Sequence, residues 1–505
     1  MTEGRVFLVN LTLTILAASF ASASAPGRLA PDEIAELDQL VRSEQCGTLL
    51  NRVEELKERA ADDPDLLVAE GNCRMILGRQ VAERFDAVAF ENAAIALGRE
   101  SKKSDLKSGF FYKEVTYEEE AVASAMRLFR AALDAAPERQ DLIVGNIALL
   151  TNVGLLDDAV ALLGERGTDL DRASTEDLGQ LVQDQLKKGR HDRGERLARE
   201  LSRLLPESAA GPAALAGVLS AKGAALGAME ALSDAHQREP ALETVTAQLI
   251  MLSMTSRRFE NAISLLVPRV DRSLQNKFWF GIARERVAPG STRQIWEQLV
   301  EKLREASATD PVTNRVVSHY ARAVKPGNNP TPVMRLRIAN QFIADGILLP
   351  GIVEADHAVA EDPRLVEAWM LLARAYRGER LFDLALEAVD RGLAATTEAA
   401  ARQASQTAYG PGEFVLARAQ LLMGLGRYEE ALSSFEEAAE RGQPAKDQQA
   451  LAALRSGQRE AAIKLMRELA AAGGARSTWA AGKLEQLGEA ERPRAEPAPG
   501  AEGGS

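Results

Sequence analysis

Residues 369–392 read WMLLARAYRGERLFDLALEAVDRG, and the placing of large, small and turn residues in this stretch decides the fold. Trp369, Leu372, Ala373 and Tyr376 come first. Ala385, Val389 and Gly392 follow after a short polar interval. A second stretch repeats the later half with Gly426, Tyr428, Ala431, Phe435 and Ala438. Spacings of three and four put Ala431, Phe435 and Ala438 on one face of a helix. Small residues there let a neighbouring helix approach, and the large one fills the space beside them. The residues before Ala385 and Ala431 form a tight turn, where glycine leaves helical geometry at little cost.

The same arrangement recurs along the chain. Ala125, Ala159, Gly194, Ala228 and Ala262 are separated by 34, 35, 34 and 34 residues. Gly154, Gly189 and Gly223 precede three of them by five residues, and Arg257 holds the fourth slot. Pro137, Pro206 and Pro240 follow members of the series by 12 residues, where proline stops one helix and opens the next unit. Further copies carry Ala125, Phe129, Ala132 and Pro137, and then Ala339, Phe342, Gly346 and Pro363. Gly, Ala and Pro sharing one register is a strong signature of repeat architecture.

The pattern resembles the tetratricopeptide repeat (TPR), with degenerate Trp and Tyr slots in most copies. The resemblance covers roughly residues 33–475 and implies an all-α, right-handed superhelical solenoid of antiparallel helix pairs, about ten repeats long. One pair cannot bury its apolar face, so stacking makes the core. Composition agrees: 46% of residues are hydrophobic, 27% charged and 5% aromatic, and strand-like alternation is scarce. The expected organisation is degenerate repeats over 26–98, an insertion loop over 99–117 and a central array over 118–321. A Pro/Gly break over 322–332 separates this from a C-terminal array over 333–488, closed by a capping helix at 476–488. Residues 489–505 read as a disordered tail.

Residues 1–25 read as a cleaved signal peptide: Arg5, an apolar run from Val6 to Phe20, then Ala23-Ser24-Ala25. A membrane-anchoring or disordered N-terminus is the other reading. Cleavage would make the chain periplasmic or secreted, and no later segment has the length of a membrane span. The net charge of −12 argues against general attraction to nucleic acid.

The resemblance implies that partner peptides bind along the first helix of each pair, on the concave face. The repeat phase places Ala213, Gly217, Ser220, Ala247, Met251 and Met254 there. Further on come Asn340, Glu367, Arg374, Arg377 and Gln420. Met adapts to irregular apolar partners. Arg374 and Arg377 suit a carboxylate, or an ordinary ion network with Glu367 or Glu379. Phe278-Trp279-Phe280, with Trp296, is either an interface anchor or a junction core. Cys46 and Cys73 fit one disulfide in an exported chain or two buried thiols. Catalytic, metal and cofactor motifs are absent. Glu354, Asp356 and His357 suggest base or metal chemistry only weakly, since adjacent helical residues face apart. The expectation is a non-enzymatic scaffold of the cell envelope that binds other proteins. The alternatives are an accessory subunit of secretion or exopolysaccharide export, and an enzyme with a site near 278–331.

Overall fold

The computed structural model describes residues 27–97, 110–288, 310–323, 327–401 and 409–488, with isolated positions between 290 and 305. The leader at 1–25, Trp296 and the tail at 489–505 lie outside the described residues. By packing, the chain forms two compact units. Unit one takes residues 27–86, 110–222 and 227–249, and unit two takes 87–97, 223–226 and those from 250 onward. The Pro/Gly stretch at 322–332 therefore lies within unit two.

The N-terminal elements are α1 (Pro31–Arg42), α2 (Cys46–Ala60), α3 (Pro64–Leu77), β1 (Arg79–Phe85), α4 (Ala87–Leu97), β2 (Phe111–Tyr117) and α5 (Glu119–Ala135). Next come α6 (Gln140–Val153), α7 (Leu156–Arg166), α8 (Arg172–Lys187), α9 (His191–Leu204), α10 (Ala210–Ala221), α11 (Ala225–Arg238) and α12 (Glu243–Thr255). They are followed by α13 (Phe259–Leu266), α14 (Leu274–Val287), α15 (Pro311–Ala323), α16 (Pro332–Ala344), α17 (Leu348–Glu361), α18 (Val366–Gly378) and α19 (Phe382–Ala401). The last are α20 (Pro411–Gly424), α21 (Tyr428–Glu440), α22 (Lys446–Arg455), α23 (Arg459–Ala472) and α24 (Ala475–Gln486). This is an all-helical repeat fold with one two-stranded ribbon among the described residues.

The turn slot read from the sequence is left-handed throughout. Gly154, Gly189 and Gly223 have φ of +97°, +71° and +79°, and Gly346, Gly426 and Gly457 follow suit. Arg257 and Arg380 hold the same slot at +61°, so the turn imposes its geometry even on side chains that resist it. The next amide then closes the helix on a carbonyl five residues back: Leu155 N donates to Leu150 O at 2.9 Å, Arg258 N to Ser253 O at 2.8 Å and Leu381 N to Tyr376 O at 2.9 Å. The small residue five positions after the turn is buried against the neighbouring helix at Ala159, Ala228, Ala262, Ala385, Ala431 and Ala462.

The expected insertion at 99–117 is wider than the sequence suggested. α3 packs on α5 as an ordinary helix pair. Gly71 of α3 leaves room for Phe129 of α5, whose ring lies 2.7 Å from where a Cβ would stand. The described residues 78–97 and 110–118 thus belong to an excursion from the turn of one pair. Its base is closed by Glu118 N donating to Gly78 O at 2.9 Å, and β1 and β2 pair antiparallel from Arg79↔Tyr117 to Phe85↔Phe111. The ribbon is a local addition to an otherwise all-helical fold. RQVAERF and FYKEVTY span only seven residues each and do not alternate polar with apolar residues, so they do not stand out against helical surroundings. The excursion then carries α4, which belongs to unit two.

Candidate binding face

In unit two, the first helices of successive pairs are α16, α18, α20 and α22. α4 is seated on this face, with α20 as its main support and α18 beside it. Its sequence, AVAFENAAIAL, is rich in small apolar residues, which favour the helix and let it lie close to another. Ile95, Ala96 and Leu97 are buried in the same core as Trp369, Leu372, Leu421 and Met423. Gly424 makes room for Ala96, whose Cβ lies 2.6 Å from where a side chain at 424 would begin. Polar contacts fix the register. Asn92 Nδ2 donates to Tyr428 Oη at 2.9 Å. The Glu91 carboxylate accepts from Lys483 at 2.7 Å and Arg455 at 3.1 Å.

The residues expected along the first helices divide. Met251 is 41% exposed on α12, but Met254 is fully buried, so it is core rather than groove. The one-residue-in-four rotation of a helix separates them, since positions three apart differ by about 60°. Asn340 and Arg374 are exposed, and Glu367 and Arg377 are half-buried. Gln420 Nε2 donates to Gln448 Oε1 at 3.1 Å, linking α20 to α22. In the aromatic cluster Phe278 is buried, its ring centroid 5.0 Å from that of Trp279, and Trp279 and Phe280 are half-buried. That placement makes it largely a packing group of α14. Cys46 and Cys73 are joined by a disulfide, with Cα atoms 5.3 Å apart.

Glu354, Asp356 and His357 are all buried on α17, within an ion cluster. Arg257 reaches Asp356 at 3.2 Å and Glu387 at 3.4 Å, and Arg286 also binds Asp356. Arg335 and His319 reach Glu354 at 3.1 and 3.2 Å. Burial works against the Glu354 charge, yet the His319 hydrogen bond and the nearby cations hold its carboxyl below the usual range. Burial pushes His357 down to about 4, so it is neutral at pH 7. Among the described residues no group of three His, Cys, Asp or Glu side chains is placed to hold a metal ion. The carboxylates are already occupied by arginines. Arg257 was legible only as a residue in a glycine slot; Arg286 and His319 carried no signal, because their partners lie 70 and 35 residues away, and Arg335, 19 residues from Glu354 in the same helix pair, sits in no recurring slot of the repeat.

No family model matches the chain, and no curated protein matches it. Solved structures do. That of yeast Tom70 is 14% identical, covering 90% of this chain and 96% of that one, with a TM-score of 0.26. The P58(IPK) TPR domain is 12% identical, with coverage of 81% and 98% and a TM-score of 0.23. A tetratricopeptide repeat protein from Parabacteroides merdae is 10% identical, with coverage of 57% and 98% and a TM-score of 0.21. Likeness at these TM-scores carries no weight for function; the helix-pair repeat rests on the turns and buried small residues of this chain.

Proposed function

We propose that this chain is a non-catalytic scaffold whose unit two receives a partner's apolar helix on its first-helix face when α4 gives way from it. One observation carries the reading: α4 is already seated there, its small residues against Gly424 and its polar residues paired to Tyr428, Arg455 and Lys483. A helix laid on a repeat face is an established mode of recognition. The leader suggests that the scaffold works outside the cytoplasm, in an envelope assembly. No described helix is long and apolar enough to cross a membrane.

The test uses the full chain with Ala96→Glu, which drives a carboxylate against Gly424 and detaches α4. A labelled peptide spanning residues 86–98 should bind this variant and be refused by the unsubstituted protein, whose face is filled. If neither binds while the variant keeps its helical circular dichroism, the reading is wrong. Export is tested apart from this, by the mass of the cell-derived chain, which should lack residues 1–25.

A further inference from the structure

Unit one holds a cleft of about 500 Å³ where β2 lies beside the turns of two neighbouring helix pairs. Tyr112, Val115 and Tyr117 come from β2, Asn152 and Val153 end α6, and Gly189 to Arg193 lead into α9. Three cations gather around Asn152. Lys188 Nζ donates to its Oδ1 at 3.0 Å, Arg190 Nη1 to its carbonyl at 2.9 Å and Arg193 Nη1 to the same carbonyl at 3.5 Å. Arg190 Nη2 reaches across to Val115 O at 2.6 Å.

Asn152 is buried, and Gln185 Nε2 holds its Oδ1 from beneath at 3.0 Å, so the hub is rigid. The backbone is shaped for the cluster too. At Gly154 a Cβ would stand 2.9 Å from the Arg193 guanidinium, and at Gly189 it would stand 3.3 Å from the Tyr112 ring.

Among the described residues, the hydrogen-bond acceptors of these three side chains are all neutral. Two carboxylates share the lining but are engaged elsewhere: Glu114 is paired with Arg84 at 2.6 Å, and Asp192 is exposed and paired with Lys222 at 3.1 Å, while Asp184, beside Lys188, binds Lys187 at 3.2 Å. Burial pushes the Lys188 ammonium down and the Arg190 charge pushes it further. Arg190 is lowered the same way, by burial and then by Arg193. Like charges held half-buried repel, and a bound anion relieves the repulsion while gaining charge-assisted hydrogen bonds from forked guanidinium groups.

We propose that this cleft is a binding site for an oxyanion group, phosphoryl or carboxylate, carried by a small ligand whose apolar part rests on Tyr112 and Tyr117. Arg193, which lines the cleft, would meet the anion, with Lys188 adding its charge from behind the Asn152 side chain, while Arg190 serves as the strap that joins α6 to β2.

The test is thermal unfolding of the full chain in phosphate, in succinate and in chloride at equal ionic strength. Phosphate, succinate or both should raise the midpoint of the unit-one transition; which of them does so identifies the group. Arg193→Gln and Lys188→Gln should each weaken that response, with an apparent Kd about tenfold higher. In chloride the two variants should unfold at or above the unsubstituted midpoint, because each removes a repelled cation. An equal response in all three proteins, no response beyond chloride, or a lowered chloride midpoint in both variants would overturn the proposal.

Discussion

The Asn92 carboxamide donates to the Tyr428 hydroxyl at 2.9 Å across 336 residues of sequence, and this bond sets the register of α4 on unit two. Asn92 is 9% exposed, so a lost partner would not be replaced freely by water.

Tyr428→Phe should therefore loosen α4, at a cost of about 1–2 kcal/mol to its docking. Hydrogen exchange at residues 87–97 should quicken in the variant, while exchange in α2 and α3 stays unchanged. Unchanged exchange at 87–97 would show that apolar burial alone seats the helix.

Gly71 tests the pairing of α3 with α5 across the excursion. Gly71→Ala places a methyl 2.7 Å from the Phe129 ring and should destabilise unit one by about 1–3 kcal/mol in urea unfolding. Gly47→Ala is the control. Nothing lies within 4 Å of a Cβ there, and α2 should gain slightly from the better helix former.

Arg257 invites the opposite expectation from the repeat pattern. Glycine would relax its φ of +61°, yet Arg257→Gly should destabilise unit two by about 2–4 kcal/mol. It removes ion pairs to a buried Asp356 and a partly exposed Glu387, and a cation 5.5 Å from the Trp369 ring centroid. Chemical denaturation followed by Trp fluorescence would read the loss.

His357 gives unit two an acid-sensitive term. Burial lowers its pKa from 6.5 to about 4, so the unfolded chain takes up the proton first as the pH falls. Its contribution is whole above pH 6.5 and drains away between pH 6.5 and about 4, by up to roughly 3 kcal/mol. His357→Gln should flatten the fall of stability over that window. A fall of equal slope in the variant would assign the acid sensitivity elsewhere.

The Cys46–Cys73 disulfide closes a loop with a sequence separation of 27. Its reduction should lower the stability of unit one by about 3 kcal/mol and leave unit two unchanged, as seen by unfolding with and without dithiothreitol.

The sequence by itself determined the helix pair, its period and its turn. Small residues, large residues and glycines must recur at fixed offsets whenever identical pairs stack, so the burial of Ala159, Ala228 and Ala262 follows from their period. Arg257 could be placed in the turn slot for the same reason, and the structure puts Arg380 there too. Only the tertiary structure decided where the excursion goes and what the buried charges do. A single ribbon and a single helix have no second copy to reveal their register, so α4 could not be assigned to unit two from its composition. Met254 turned inward and Met251 outward by a rotation that an uncertain helix start leaves open. The meeting of Lys188, Arg190 and Arg193 at Asn152 depends on neighbouring turns coming side by side, a contact that stacking creates and that no local pattern records.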